Sequence, residues 1–545
     1  MRSLRRLGGG WGKLTAVAAL VAAAVAACGD ASDDVAPPGS EGGAGTDGPG
    51  VNDPDATASD GPRPIDPGGD GGPGVTDLKC PSLVMPAAAS VYVDGAATGA
   101  EAGTQAAPFR TLAKALASAS AKGVIWIAAG TYKENLVVPN KDLVVYGGFA
   151  PGFASRTDAC ATILEAASAS QPVLSASAAV KSFGLDGLTV QKGSRGLDVS
   201  GDSSVKAVFT IANAVFAENG KTGEEGGGAS FDRVSAKITR SVFHDNRASK
   251  GAAVACVGDV SITIEESLFE RNIGYADHGG GLYLSPTTGT IVRNTFRGNE
   301  IGKGVGYGWG GAVIVFKAGA APVKTDFAYN VFTDNLAGIG GAVFVDDGAS
   351  ITMSHDLIYR NRSYRENGVA RGGALYADGL SGPGTGSTLV GDHLTVAFNA
   401  LDETGQPATM TRGEAVYVET YSRVTFTSSI FWSNGSDALF GDPTTTIAVS
   451  YAVAPSTCAG GATCTIGAGV FEPPEVAFVD DVANDYHEKS TAGHFAKGTW
   501  VIDNESSPAI DKADPASGAG GEPAPNGGRA NLGAYGRTGE ASKSP

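Results

Sequence analysis

Along residues 216–434 the apolar positions return in a fixed phrase, not in a helical or simply alternating rhythm. The phrase is an aromatic or aliphatic residue, two variable residues and an Asn, then a loop, Gly-Gly-Ala and a short apolar run. Phe216 and Asn219 are followed by Gly227-Gly228-Ala229, and Phe243 and Asn246 by Gly251-Ala252-Ala253. Phe269 and Asn272 precede Gly280-Gly281-Leu282, and Phe296 and Asn299 precede Gly310-Gly311-Ala312. Phe332 and Asn335 lead to Gly340-Gly341-Ala342, and Ile358 and Asn361 to Gly372-Gly373-Ala374. A weaker copy, Val396 and Asn399 with Gly413-Glu414-Ala415, is followed by Phe431 and Asn434. Successive copies start 27, 26, 27, 36, 26, 38 and 35 residues apart, so the unit is about 26 residues and the excess lies in loops. A repeat this short cannot bury its own apolar face, so neighbours must stack. Short β-branched and aromatic runs broken by glycine exclude helical and leucine-rich solenoids. The pattern predicts an all-β solenoid, a parallel β-helix in which each repeat is one coil of three short strands.

Stacking assigns roles to the repeated residues. Strands of successive coils lie about 4.8 Å apart, so identical side chains meet. Asn219, Asn246, Asn272, Asn299, Asn335, Asn361, Asn399 and Asn434 are expected to form a structural carboxamide ladder that satisfies the backbone at a turn. The aromatic residue three positions earlier should stack in the core. Ser241, Ser267, Asn294, Asn330, Asp356 and Ser429 form a second polar column and mark a second bend. The glycine pairs permit a tight corner with positive φ. A bulky column, Phe231, Phe344, Tyr376 and Tyr417, is expected in the core, where like stacks on like. Turned outward it would be a platform for sugar rings, which keeps Tyr376 and Tyr417 among the candidate ligand-binding residues. The loops are longest over 300–309, 362–371 and 400–412 and emerge on one side of the stack. Tyr307, Trp309, Arg362, Tyr364, Arg365 and Arg371 lie there, and aromatics with arginines suit glycans and anionic polymers.

Outside the repeats the chain changes character. Residues 1–27 read as an export signal: Arg2, Arg5, Arg6 and Lys13 precede an alanine-rich apolar run from Leu14 to Ala27. The run ends in Val25-Ala26-Ala27-Cys28, which resembles a bacterial lipobox. That resemblance implies cleavage before Cys28, lipidation of its sulfur and a lipid anchor in the outer membrane, the protein thus belonging to the cell envelope. An ordinary secretory signal followed by a coincidental cysteine is the alternative. Residues 28–78 read as a disordered tether rich in Gly, Pro and Asp. Its eleven acidic residues against Arg63 supply most of the net charge of −17, so the acidity belongs to a solvated linker. The balance argues against nucleic acid as a partner. Six cysteines in an exported chain invite pairing. With Cys28 assigned to lipid, Cys458–Cys464 and Cys80–Cys160 are candidate disulfides, which leaves Cys256 as a buried thiol.

The folded part is expected to run over 79–455 as the solenoid with its N-terminal cap, and over 456–545 as last coils, C-terminal cap and tail. Val91-Tyr92-Val93-Asp94, Pro108-Phe109-Arg110-Thr111 and Gly130-Thr131-Tyr132 resemble the opening of right-handed parallel β-helix proteins of the pectin-lyase-like superfamily. The resemblance implies a right-handed solenoid of about eleven coils, roughly 50 Å long, whose open N-terminal end is capped by a helix starting near Thr111. The repeats also look like those of polymorphic outer-membrane proteins. Asp485-Tyr486-His487, Ser507–Asp511 and Asn531–Tyr535 resemble the terminal segment of secreted bacterial β-helix proteins.

Polysaccharide lyases and hydrolases use this fold, and their chemistry needs a base with calcium-holding acids, or a pair of carboxyls. The runs after Gly-Gly-Ala are nearly all apolar and offer no charged cluster. Asp346-Asp347 is an acidic pair at a strand end with no matching partners. His244, His278, His355, His393, His487 and His494 lack metal-ligand spacing, so no metal site and no cofactor are expected, and Ca2+ has no support. No catalytic residue is assigned. The expectation is an anchored β-helix that binds polysaccharide or a cell-surface glycan without catalysis. A polysaccharide lyase or glycoside hydrolase acting on acidic polysaccharide is the alternative.

Overall fold

A computed structural model describes residues 79–545 except 87, 203–205, 277, 303–307, 318–322, 365–368 and 403–409. Residues 1–78, with the expected export signal, Cys28 and the expected tether, lie outside the described residues. Three long stacks of parallel strands wrap one apolar interior. One stack has eleven strands, from Gly130–Lys133 to Ile430–Trp432, in agreement with about eleven coils. It is called here the Phe sheet. The other two are joined where Val254–Glu265 and Leu282–Val292 run unbroken through both. The Gly-Gly sheet holds the strands that follow the glycine corners, among them Ala229–Asp232, Val313–Phe316, Val343–Asp346, Leu375–Ala377 and Val416–Val418. The middle sheet follows it in each coil, as in Lys324–Ala328 and Ser350–Ser354. Parallel strands joined by crossovers take the right-handed path almost without exception.

The two polar columns hold the bends. Each ladder asparagine donates Nδ2–H to the Oδ1 of the next, at 2.9–3.2 Å, from Asn219 through to Asn434. The same Nδ2 donates to a strand carbonyl of the preceding coil, as Asn335 does to Phe296. Each Oδ1 also accepts the backbone N–H of the preceding asparagine. Residues just before the ladder, such as Asp245, Arg271, Asp334 and Arg360, sit at φ between 51° and 56°. This left-handed conformation costs about 1–2 kcal/mol in an L-residue, and the buried amides fix it in place. Inside, Phe216, Phe243, Phe269, Phe296 and Phe332 stack at 4.8–5.3 Å. At the glycine corners Gly340 takes φ 66°, and a Cβ on Gly341 would collide with the Gly373 carbonyl.

The ends are sealed differently. The helix Leu112–Ser118 buries Leu112, Ala115 and Leu116 over the first coils. Its N-terminus is satisfied by Thr111 and by the Glu134 carboxylate, which accepts from Leu112 N and Ala113 N. Lys141 Nζ donates to the carbonyls of Ala117 and Ala119 at the other end. Cys80 pairs with Cys160 and Cys458 with Cys464, while Cys256 is buried and unpaired. After the last coil strand Thr463–Ile466, the chain turns back along the flank. There Val476, Phe478, Tyr486, Leu532 and Tyr535 pack on Val331, Leu357, Tyr359, Ala397, Ile430 and Val453, the outer side of the Phe sheet.

One column contains an anomaly. Asn294 and Asn330 each donate Nδ2–H to a middle-sheet carbonyl, of Ile264 and Ile291, and Asn330 also donates to Asp356 Oδ1. The register continues from Ile291 to Phe327. Asp356 therefore carries a carboxylate oxygen where its neighbours carry an amide donor. That oxygen has no partner among the described residues, and burial raises the Asp356 pKa to about 7. A raised acid stabilises the fold fully below its unfolded value and loses that contribution as pH climbs through the folded one. Asp356→Asn should match the wild type near pH 4 and exceed it increasingly up to pH ~7, read as the urea midpoint at each pH. Asn335→Ala should lower stability by about 2–3 kcal/mol in the same assay, because it leaves buried partners unmade.

Candidate functional site

Alternation along the Gly-Gly sheet separates two columns that look alike in sequence. Phe231 pairs with Cys256 and points into the core. Phe344, Tyr376 and Tyr417 belong to the other column, with Tyr283, Ile314 and Phe440, on the outside of the wall. The expectation that all four bulky residues form one core column is corrected here. Phe344, Tyr376, Tyr417 and Phe440 do stack, at 4.8–5.1 Å, but against a second layer and not against solvent. His278, Trp309, Ile339 and Arg371, one from each of four coils, are bridged in parallel as that layer. Trp309 lies over Phe344 with ring centroids 5.9 Å apart, and the Arg371 guanidinium lies 5.1 Å from the Tyr417 ring centre. Tyr376 is 1 % exposed and Tyr417 6 %, so neither is an open platform.

The remaining rim residues divide. Tyr307 and Arg365 lie outside the described residues. Arg362 is exposed on a short six-stranded ribbon, and Tyr364 is buried with its hydroxyl donating to the Ile301 carbonyl at 3.0 Å. Of Arg362 and Arg371, the two candidate arginines among the described residues, Arg371 is placed in a charged network.

That network is a column of acids where the Gly-Gly strands end. Val345, Ala377, Val418 and Gly441 are in register, so Asp346, Asp378, Glu419 and Asp442 follow one per coil on the outer side. Asp346-Asp347 therefore has partners after all, in the neighbouring coils. Glu419 is held from two sides: Arg371 Nη1 approaches Oε2 at 2.8 Å, and the Tyr376 hydroxyl donates to Oε1. Asp346 Oδ1 accepts from Asp347 N at 2.7 Å, and Asp378 Oδ1 from Gly379 N at 2.6 Å. Thr420 N donates to Asp442 Oδ2 at 2.9 Å. Burial raises the Asp346 pKa to about 7, and the charges of Asp347, Asp378 and Glu419 add to it. Burial also raises Asp347, Asp378 and Glu419, in the last case despite Tyr376 and Arg371. The Tyr417 hydroxyl is pushed up to about 12, chiefly by burial. The column thus places an acid that keeps its proton near neutrality beside carboxylates and an arginine.

Nothing in the charge pattern of a single repeat announces this site. The acids come from strand ends, and loops of unequal length separate them in the sequence. As for metals, the one cluster of three ligating side chains among the described residues is Cys80, Asp158 and Cys160, and its two thiols are joined in the disulfide. His355 and His393 stack at 5.1 Å beneath the C-terminal segment, a pairing equally hidden by loop length. Replacing Arg371 by Gln should cost about 1–2 kcal/mol, since Glu419 then loses its cationic partner in a half-buried setting. The loss should shrink when Glu419→Gln is added, read as a double-mutant cycle in urea.

Comparison with known proteins bears on the fold. Residues 175–382 match the family described as a right handed beta helix region, and residues 93–138 match a family described as a protein of unknown function, DUF1565. Among solved structures, the pectate lyase Pel9A aligns over 82 % of this chain and 96 % of its own, at 14 % identity and a TM-score of 0.36. The catalytic unit of a GH87 alpha-1,3-glucanase from Streptomyces thermodiastaticus aligns over 72 % and 70 %, at 14 % identity and 0.30. A pectin methylesterase from carrot aligns over 72 % and 91 %, at 13 % identity and 0.20. No curated protein matches the chain. The stacked parallel coils and the match over residues 175–382 agree: the chain folds as a right-handed parallel β-helix.

Proposed function

We propose that the outer edge of the Gly-Gly sheet is a glycan-processing groove and that the protein is a glycoside hydrolase acting on an uncharged polysaccharide. The observation that carries this reading is the acidic column, in which Asp346 is raised to about 7 while Asp378 and Glu419 stand one and two coils away. Two carboxyls with different proton affinities are what glycosidic cleavage requires, one to donate a proton and one to activate water. Carboxyls two coils apart are separated by about 9–10 Å at the strand spacing, near the gap that admits a water molecule. Asp346 is the proton donor in this scheme and Glu419, two coils away, the base, with Arg371 and Tyr376 positioning it. Five carboxyls around one arginine would repel a uronate chain, so an uncharged polymer is preferred to an acidic one.

Non-catalytic glycan binding is the second reading. It is favoured by Glu419, whose two oxygens are already engaged by Arg371 and Tyr376. In both readings Cys28 carries the lipid that anchors the domain in the outer membrane. A panel of uncharged and uronate polysaccharides, assayed for new reducing ends and for binding, separates the two. Hydrolysis should appear on an uncharged polymer, fall at least about 100-fold in Asp346→Asn, and lose its alkaline limb near pH 7. Binding with no product from any polymer would replace catalysis by adhesion.

A further inference from the structure

The C-terminal segment seals two acids away from water. Glu488, which ends the strand Asp485–Glu488, is 0 % exposed, and Glu522 is 6 % exposed. Glu522 Oε1 is cradled by the backbone N–H groups of Asn531 and Arg537, at 2.7 and 2.8 Å. Its Oε2 and both carboxylate oxygens of Glu488 have no hydrogen-bond partner among the described residues. Three orphaned oxygens in one interior are rare, because a buried charge without a partner is heavily penalised.

The charge of Glu522 reaches the Glu488 carboxyl, and hydrogen bonds link the segments that carry the two acids. Asn531, whose N–H binds Glu522, donates Nδ2–H to the Ser542 carbonyl at 2.6 Å, and the Ser542 hydroxyl donates to the Glu488 carbonyl. Asn531 Oδ1 accepts from Asp511 N at 3.0 Å, and Ser544 donates to Asp511 Oδ1 at 2.8 Å. The end of the chain, residues 542–544, thus threads between the strand of Glu488 and the loops carrying Asp511 and Glu522. Both acids lie in the segment that packs on the Phe sheet, apart from the acidic column of the Gly-Gly sheet.

We propose that Glu488 and Glu522 are the carboxylate ligands of a buried divalent cation of the hard, oxygen-preferring kind, with Ca2+ as the fitting case, which locks the C-terminal segment onto the flank of the solenoid. The cation would supply the missing partner of all three oxygens and balance both negative charges. Carboxylates that bind in bidentate fashion, with backbone carbonyls and water, complete such a shell. The rival state is a pair of protonated acids: without a cation, burial pushes Glu488 up to about 8 and Glu522 to about 7.

The test uses the full chain at pH 8, stripped with chelator and then dialysed against Ca2+, Mg2+ or no metal. Bound metal is measured by elemental analysis, and the thermal midpoint is measured in parallel. One equivalent of Ca2+ should be retained, with the midpoint raised by at least about 3 °C. Glu488→Gln and Glu522→Gln should each abolish both effects, whereas Asp346→Asn should keep them. Absence of bound metal in the loaded wild type overturns the proposal, as does a Ca2+ effect that survives both substitutions. A Glu488→Gln protein more stable at pH 8 than the wild type dialysed against Ca2+ overturns the proposal in favour of the protonated pair. Should the variants fail to fold, the stoichiometry of the wild type decides the matter.

Discussion

A stack of parallel coils has few local contacts, so its stability depends on what each coil offers the next. In this protein the decisive offer is the buried asparagine at the bend. Its carboxamide donates forward to the next asparagine, donates to a carbonyl of the preceding coil and accepts a backbone N–H. No hydroxyl or aliphatic side chain can perform all three tasks. The left-handed residue before it is held there only while the ladder is intact, and the direction of the following strand depends on that bend. The phenylalanine stack and the close glycine corners follow from the same register. Loops can then vary in length without disturbing the fold, since they leave and return at fixed points.

Stacking also acts on the outside of the wall. The register that aligns core residues aligns whatever stands beside them, and it places Asp346, Asp378, Glu419 and Asp442 in a row. Like charges at strand spacing oppose one another, and burial adds to the cost. Such a conflict between charge and stacking is expected at functional positions rather than at structural ones. Asp356 shows the contrast. It too is an acid in a stacked column, but its single misfit oxygen lies inside a bend and has no surface to serve.

The solenoid wall is not finished by its own coils. On one side, Trp309, Ile339 and Arg371 roof the outer aromatics of the Gly-Gly sheet. On another, the returning C-terminal segment covers the outer face of the Phe sheet. Both layers exist because apolar residues stand on both faces of these strands, as is usual for parallel sheets buried on two sides. The bare coils would expose them.

The sequence by itself determined the repeat. Phe, Asn and the glycine corner recur because every coil faces the same local problem, and a local problem leaves a local signature. The capping helix was legible for the same reason, with Thr111 at its start and apolar residues on one face. Which face of the wall a bulky residue occupies was not legible, since Phe231 and Phe344 differ by one register step and both follow a glycine corner. The acidic column, the stacked His355 and His393, and the burial of Glu488 and Glu522 in the C-terminal segment were decided only by tertiary structure. Their spacing along the chain is set by loops that carry no period, while their spacing in space is set by strands that do.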